Sequence, residues 1–182
     1  MLRTKDILDE KDPRVRAKNT DVDFPLNDEY KDIIPEMLKH LRYSQIEKLS
    51  KKYDLRPGMG LAAPQLGINK NFFVVCYEVK DGVFDDYILI NPKVISYSEE
   101  MIYAGEGEGC LSVNREVEGI VPRHARITVG FYDINGNHKE ERVREEISVA
   151  FQHEMDHLDG IMFTDRIDKD NPYKDMDKMR SI

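Results

Sequence analysis

The chain has 182 residues, 40% hydrophobic and 34% charged, with 27 Lys and Arg against 35 Asp and Glu and a formal net charge of −8. That length and balance suit a single globular domain over residues 1–182, able to bury about two-thirds of its extended surface, and exclude a disordered chain. The negative charge excludes a general nucleic-acid binder, which would carry a basic face. No run approaches the ~20 apolar residues of a membrane-spanning helix.

In chain order, Pro25 and Asn27 precede Tyr30, Ile33, Ile34, Met37, Leu38 and Leu41, apolar positions at helical spacing, and Pro35 inside the pattern predicts a kink or a break. Ser44-x-x-Glu47 reads as a capping box for a short second helix ending near Tyr53. Gly58 to Gly67 reads as a glycine- and proline-rich turn between helix and strand. From Asn71 the period changes: Phe72 to Val79, Tyr87 to Ile90 and Lys93 to Tyr97 read as strands, with Asp81-Gly82 as a hairpin turn. Arg126 to Tyr132 and His138 to Val143 form a second hairpin around Asn135-Gly136. A helix from about Arg144 to Leu158 follows, Ile161 to Ile167 reads as a returning strand, and the charged stretch Asp165 to Arg180 as a solvated end. The class predicted is α+β, with antiparallel sheets packed around a central helix.

That last helix carries the strongest chemical signal, Gln152-His153-Glu154-Met155-Asp156-His157. Positions i and i+4 lie within about 40° of each other on a helix, so His153 and His157 can reach one metal ion, while Glu154 is turned aside and free to move a proton. Such strings also occur by chance on solvated helices, but Ile147, Val149, Ala150 and Phe151 mark this one as buried, where unpaired imidazoles and a carboxylate would be costly. A catalytic site needs a third ligand and an open position. Downstream the chain offers only aspartates such as Asp159, Asp165 and Asp168; the better candidate is upstream, Cys110 in Glu106-Gly107-Glu108-Gly109-Cys110-Leu111-Ser112, where the glycines let the backbone come close to metal and substrate. Cys76 reads as a small apolar residue of a buried strand, and a Cys76–Cys110 disulfide is disfavoured because the charged amino terminus lacks a signal-peptide core; a cytoplasmic location is expected. In Gly58-Met59-Gly60-Leu61-Ala62-Ala63-Pro64-Gln65, the amide of Gln65 is a candidate oxyanion donor. His40, on a helix surface, and His124 and His138 have no partners at ligand spacing. Met37, Met59, Met101, Met155 and Met162 read as core or rim.

Gly58-x-Gly60-x-Ala62-Ala63-Pro64-Gln65, Glu108-Gly109-Cys110-Leu111-Ser112 and Gln152-His153-Glu154-x-Asp156-His157-x-x-Gly160 together resemble, in this order, the three signature motifs of peptide deformylase, and the segment before Gly58 looks like the Gram-positive class of that family. The resemblance implies an enzyme that removes the formyl group from the N-terminal formyl-methionine of new polypeptides. It implies Cys110, His153 and His157 as ligands of one divalent metal, Glu154 as general base and acid, and Gln65 with the Leu111 N–H as oxyanion donors. It further implies Fe2+ as the native metal, with Ni2+, Co2+ or Zn2+ able to substitute, whereas ligand types alone suggest zinc. Substrate is expected to pair as an added strand near Gly58, Met59 and Gly60, to pass Gly109, and to place its methionine in an apolar slot lined by Val149 and Ala150. The partners expected are N-formylmethionyl nascent peptides and, with them, the ribosome; the chain is expected to be a monomer. Met59 stands where Ile or Val is common, and Glu106 adds a carboxylate that would disfavour acidic substrates. Two further readings are a metallopeptidase cleaving ordinary peptide bonds and a non-catalytic metal-binding module.

Overall fold

The structure, a computed structural model, describes residues 1–182. Helix α1 (Asp28–Gln45) begins where the Asn27 side chain accepts the Glu29 N–H at 2.7 Å, with Asp28 and Glu29 set against the positive end of the helix dipole. Pro35 neither ends nor breaks it, because the ring lies on the exposed face, where water can reach the carbonyl that its missing N–H leaves free. His40 is not on the surface as expected: it is fully buried, its Nδ1 3.1 Å from the Leu2 carbonyl. Helix α2 (Glu47–Tyr53) follows, capped by Ile46 without a side-chain bond. The expected Ser44 capping box is absent, since the Ser44 hydroxyl donates to the Leu41 carbonyl at 2.7 Å and accepts the Gly58 N–H at 3.1 Å.

The segment read as a turn holds strand β1 (Gly60–Ala62) and a 3-10 turn over Ala63–Leu66. Then come β2 (Phe72–Lys80), β3 (Val83–Tyr97), β4 (Met101–Tyr103), β5 (Arg123–His124), β6 (Arg126–Tyr132), β7 (His138–Arg144), helix α3 (Glu145–Leu158) and β8 (Arg180–Ser181). Five strands pair antiparallel in the order β1-β2-β3-β6-β7. Both expected hairpin turns are present, with Gly82 and Gly136 in the positive-φ conformation that the turns demand. The two strands expected on either side of Asn91-Pro92 are one strand, β3, whose pairing with β6 shifts register there. Asn91 sits at φ 50 and its side chain is held by the Val22 backbone, so the break in pattern marks a bulge and not an end.

Both faces of this sheet are covered, which explains why β2 is apolar without alternation. Phe72, Val74 and Cys76 point towards Met37 and Leu41 of α1, whereas Phe73 and Val75 point towards Ala150 and Phe151 of α3. Helix α3 therefore lies under the sheet with its site-bearing residues buried, and it stops at Gly160. That glycine has φ 71, its N–H and that of Ile161 close onto the His157 and Asp156 carbonyls, and a side chain there would meet the Arg16 carbonyl at 2.8 Å.

The remaining strands form a small sheet, β5-β4-β8, in which β8 runs parallel to β4. Two expectations for the end of the chain are thereby corrected. Ile161 to Ile167 is not a strand but a 3-10 turn over Phe163–Arg166, fastened by the Asp165 carboxylate accepting the Met162 N–H at 2.8 Å. The tail is not simply solvated, because its last residues dock on β4.

Phe151 has no exposed surface and packs edge-on against Phe73 and Tyr87, with ring centroids at 5.6 and 5.3 Å. Phe151→Ala is expected to lower the unfolding free energy by about 3–5 kcal/mol, the range for emptying such a site. Chemical denaturation of the two proteins measures the difference.

Candidate metal centre

Helix α3 presents His153 and His157 one turn apart, and the loop before β5 brings Cys110 to them. The donor atoms of the three residues all lie within 4.8 Å of one another, and Cys110 Sγ is 3.3 Å from His157 Nε2. Ligands bound tetrahedrally at about 2.3 Å (sulfur) and 2.0–2.1 Å (imidazole) stand roughly 3.5 Å apart, so this set fits a first-row divalent ion. The rings are oriented for it. His153 keeps Nδ1 on the Glu108 carboxylate at 2.8 Å, which turns Nε2 to the Cys110 side of the site, and the buried Nδ1 of His157 has no partner. The alternative third ligands do not join the group: Asp165 pairs with Arg16, Asp168 pairs with Lys174, and Asp159 is exposed.

A buried chain of charges stands behind the two imidazoles. Arg123, 2% exposed, donates to both oxygens of Glu108 at 2.7 and 3.0 Å and to Asp156 at 2.7 Å, and Asp156 also accepts two bonds from Arg166 at 2.6 Å. Burial alone would push the Glu108 carboxyl up, but its bonds to His153 and Arg123 prevail and hold it at about 2. Burial likewise disfavours the His153 imidazolium, yet the bonds to Cys110 and Glu108 raise its pKa, while burial and the charge on His153 push His157 down. A cation held by these donors would take the place of the His153 proton.

Beside the donors lies a cleft of about 500 Å³. Glu154 faces it, 4% exposed, with Oε2 unpartnered, and burial pushes its carboxyl up to about 7 against the pull of His153. A Cβ at Gly60 would stand 2.2 Å from Glu154 Oε1, so only glycine lets β1 approach this closely. Gln65 accepts the Ala62 N–H at 2.9 Å and directs its Nε2 to Ser112 Oγ at 3.0 Å and Cys110 Sγ at 3.6 Å. The Leu111 N–H donates to no protein group. Gly58, Met59, Gly60, Gly109, Val149 and Ala150 all line the cleft, but the Gly58 N–H and C=O are held by Ser44 and Gln45 and the Met59 C=O accepts the Cys76 N–H at 2.8 Å, which narrows the open backbone edge to the Met59 N–H and Gly60. Glu106 is exposed and lies outside the cleft lining; the exposed carboxylate at the cleft is that of Glu146.

Three groups with metal-binding chemistry, a poised carboxylate and a built cleft define a hydrolase of the metal-dependent kind. The family profile described as polypeptide deformylase matches residues 4–173. The chain is 45% identical over 173 residues to a peptide deformylase of Oceanobacillus iheyensis, covering 95% of this chain and 94% of that one. It is 49% identical over 177 residues to the peptide deformylase of Halalkalibacterium halodurans, covering 96% of each. The crystal structure of a plant peptide deformylase superposes with a TM-score of 0.76 at 28% identity, over 94% of this chain and 85% of that one. The chain therefore belongs to the peptide deformylase family, metal-dependent hydrolases that remove the formyl group from the N-terminal formyl-methionine of newly made polypeptides.

The residue pattern alone did not single out Arg123 or the supporting roles of Glu108 and Asp156. One signal was available: Arg123 is a charge at the end of the apolar run Ile120-Val121-Pro122, and a charge so placed needs buried partners. Because Glu108 orients His153, Glu108→Gln is expected to weaken metal binding by about 10–100-fold while the fold persists. Titration with a competing chelator, read alongside circular dichroism, measures both.

Proposed function

We propose that Cys110, His153 and His157 hold one divalent ion, and that Glu154, Gln65 and the Leu111 N–H carry out deformylation beside it. The observation that supports this above all is that one cleft joins the three donors to a buried carboxylate with an unpaired oxygen. The ion supplies a Lewis acid and a water of lowered pKa. Fe2+ is proposed as the native ion, with Ni2+, Co2+ or Zn2+ as substitutes; two imidazoles and a thiol suit any of these.

The protein's own groups do the rest. Glu154 takes the proton of the attacking water as it adds to the formyl carbon, and then returns it to the leaving nitrogen, so that formate and a free amine result. A carboxyl with a pKa of about 7 serves both directions near neutral pH. The negative charge that develops on the formyl oxygen meets the Gln65 amide, fixed by the Ala62 N–H and Ser112, and the free Leu111 N–H. One such preorganised donor is typically worth about 3 kcal/mol in the transition state. The peptide pairs with the open edge at Met59 and Gly60 and passes Gly109, and Val149 and Ala150, one turn before His153, line the slot for its methionine. The chain acts as a single-domain monomer in the cytoplasm on nascent peptides leaving the ribosome.

Two measurements test the roles. Glu154→Gln is expected to keep about one metal per chain while formate release falls by roughly 10²–10⁴-fold, the range for a general base. Cys110→Ala should lose the metal and Cys76→Ala should keep it; the reverse result would place the ligand at Cys76. Metal is read by elemental analysis and turnover by anaerobic formate assay.

Gly60→Ala offers a check that removes none of the proposed reactive groups and moves one of them. The added methyl must displace Glu154, and a shift of about 1 Å there is expected to lower kcat about 10²-fold with metal content retained. Turnover equal to that of the unaltered protein would mean that Glu154 does not need its observed position.

A further inference from the structure

The signature segments do not close the cleft by themselves. Ile182 also lines it, and its side chain packs against Ile102, Ala125 and Val149. The residues that bring it there form a very short strand: Arg180 and Ser181 pair with Ile102 and Tyr103, the Ile182 N–H donates to the Tyr103 carbonyl at 3.0 Å, and the Ile182 carbonyl accepts the Gly105 N–H at 3.0 Å. So few backbone bonds hold a strand weakly. The fastening is the Arg180 guanidinium, which donates to both oxygens of Glu145 at 2.8 Å and to Glu100 at 3.0 Å. Exposed ion pairs usually contribute little, but this one is bidentate, and it shares Glu100 with Arg126 in a network. Glu145 opens α3 at φ 53, a left-handed conformation that carries its carboxylate to Arg180. The tail is therefore tied to the helix that bears His153 and His157.

We propose that Ile182 is a specificity-determining residue, closing the far end of the slot for the first substrate side chain, and that Arg180 is the positioning residue that holds it there. This rests on the deformylase reading of the same cleft. Val149 stands four residues before His153 on α3, about 6 Å along the helix axis, and Ile182 packs against the apolar cluster that Val149 forms with Ile102 and Ala125 and lines the same cleft. A long unbranched apolar side chain entering beside the metal donors would reach Val149 and end against Ile182. A methyl side chain would touch neither.

The test compares formate release from formyl-Met and formyl-Ala peptides of otherwise identical sequence, using the metal-loaded full chain. Ile182→Ala is expected to lower kcat/KM about tenfold for formyl-Met and less than about twofold for formyl-Ala, in line with the worth of apolar pocket contacts. Arg180→Gln should act in the same direction through KM and not kcat, Arg180→Lys should recover part of the loss, and the double variant Arg180→Gln/Ile182→Ala should be no worse than Ile182→Ala. An undiminished preference for methionine in Ile182→Ala would overturn the inference, as would equal losses on both substrates or additive losses in the double variant. Absence of formate release by the unaltered protein would instead refute the deformylase reading itself.

Discussion

Four ionisable side chains of α3, His153, Glu154, Asp156 and His157, are each less than one-tenth exposed within five residues of sequence. Such a density of buried charge is costly unless partners offset it, and breaking one buried pair typically costs about 3–5 kcal/mol. Arg123 is the partner on which the arrangement turns. From the strand beside α3 it binds Glu108 on one side and Asp156 on the other, and Glu108 in turn holds His153. The loop carrying Glu108 also carries Cys110, so the bonds that neutralise the buried charges are the same bonds that bring the thiol to the imidazoles. Electrostatic satisfaction and assembly of the candidate metal centre are one event.

What this network leaves unsatisfied is equally informative. His157 Nδ1 and one oxygen of Glu154 are buried without partners, whereas Glu108 and Asp156 are fully engaged. Two carboxylates lining one cleft thus sit in opposite environments: Glu108 is held at about 2 and Glu154 is pushed up to about 7. Divergence of this kind separates a group that fixes geometry from one that can exchange a proton. The close approach of β1 at Gly60 makes the second environment possible, because it excludes water from Glu154 without offering it a hydrogen bond.

The elements that sequence reasoning located correctly are those whose signal is local. The apolar stripe of α1, the glycine turns of the two hairpins and the spacing of His153 and His157 each depend on a few adjacent residues. Where the reading failed, the deciding partner was distant in sequence. Ser44 was diverted from its helix by Gly58, β3 continued through Asn91 because Val22 holds that side chain, and the tail became a strand because β4 offered an edge and Glu145 a counter-charge. The same holds in the site: the candidate donors were legible from motif spacing, whereas Arg123, thirty or more residues from α3's histidines, was not, because nothing nearby shows which carboxylates it meets.

A structural metal module and a hydrolytic site can share ligand types, and what separates them is the surroundings of the ion's position. A structural site closes with a fourth protein ligand and needs no approach from solvent. Here the three donors adjoin a cleft of about 500 Å³ whose lining includes Gly58, Met59 and Gly60, residues that lead into the outer strand of the sheet. The groups nearest the donors are an amide with its orientation fixed, an N–H with no protein partner and a carboxylate with an open oxygen. The last two would carry a penalty in a merely structural centre, since buried polar groups left unpaired destabilise the fold. Their coincidence at one end of one cleft is what a reacting carbonyl requires: a donor for its oxygen, a base for the water, and an extended edge to hold the chain that carries it.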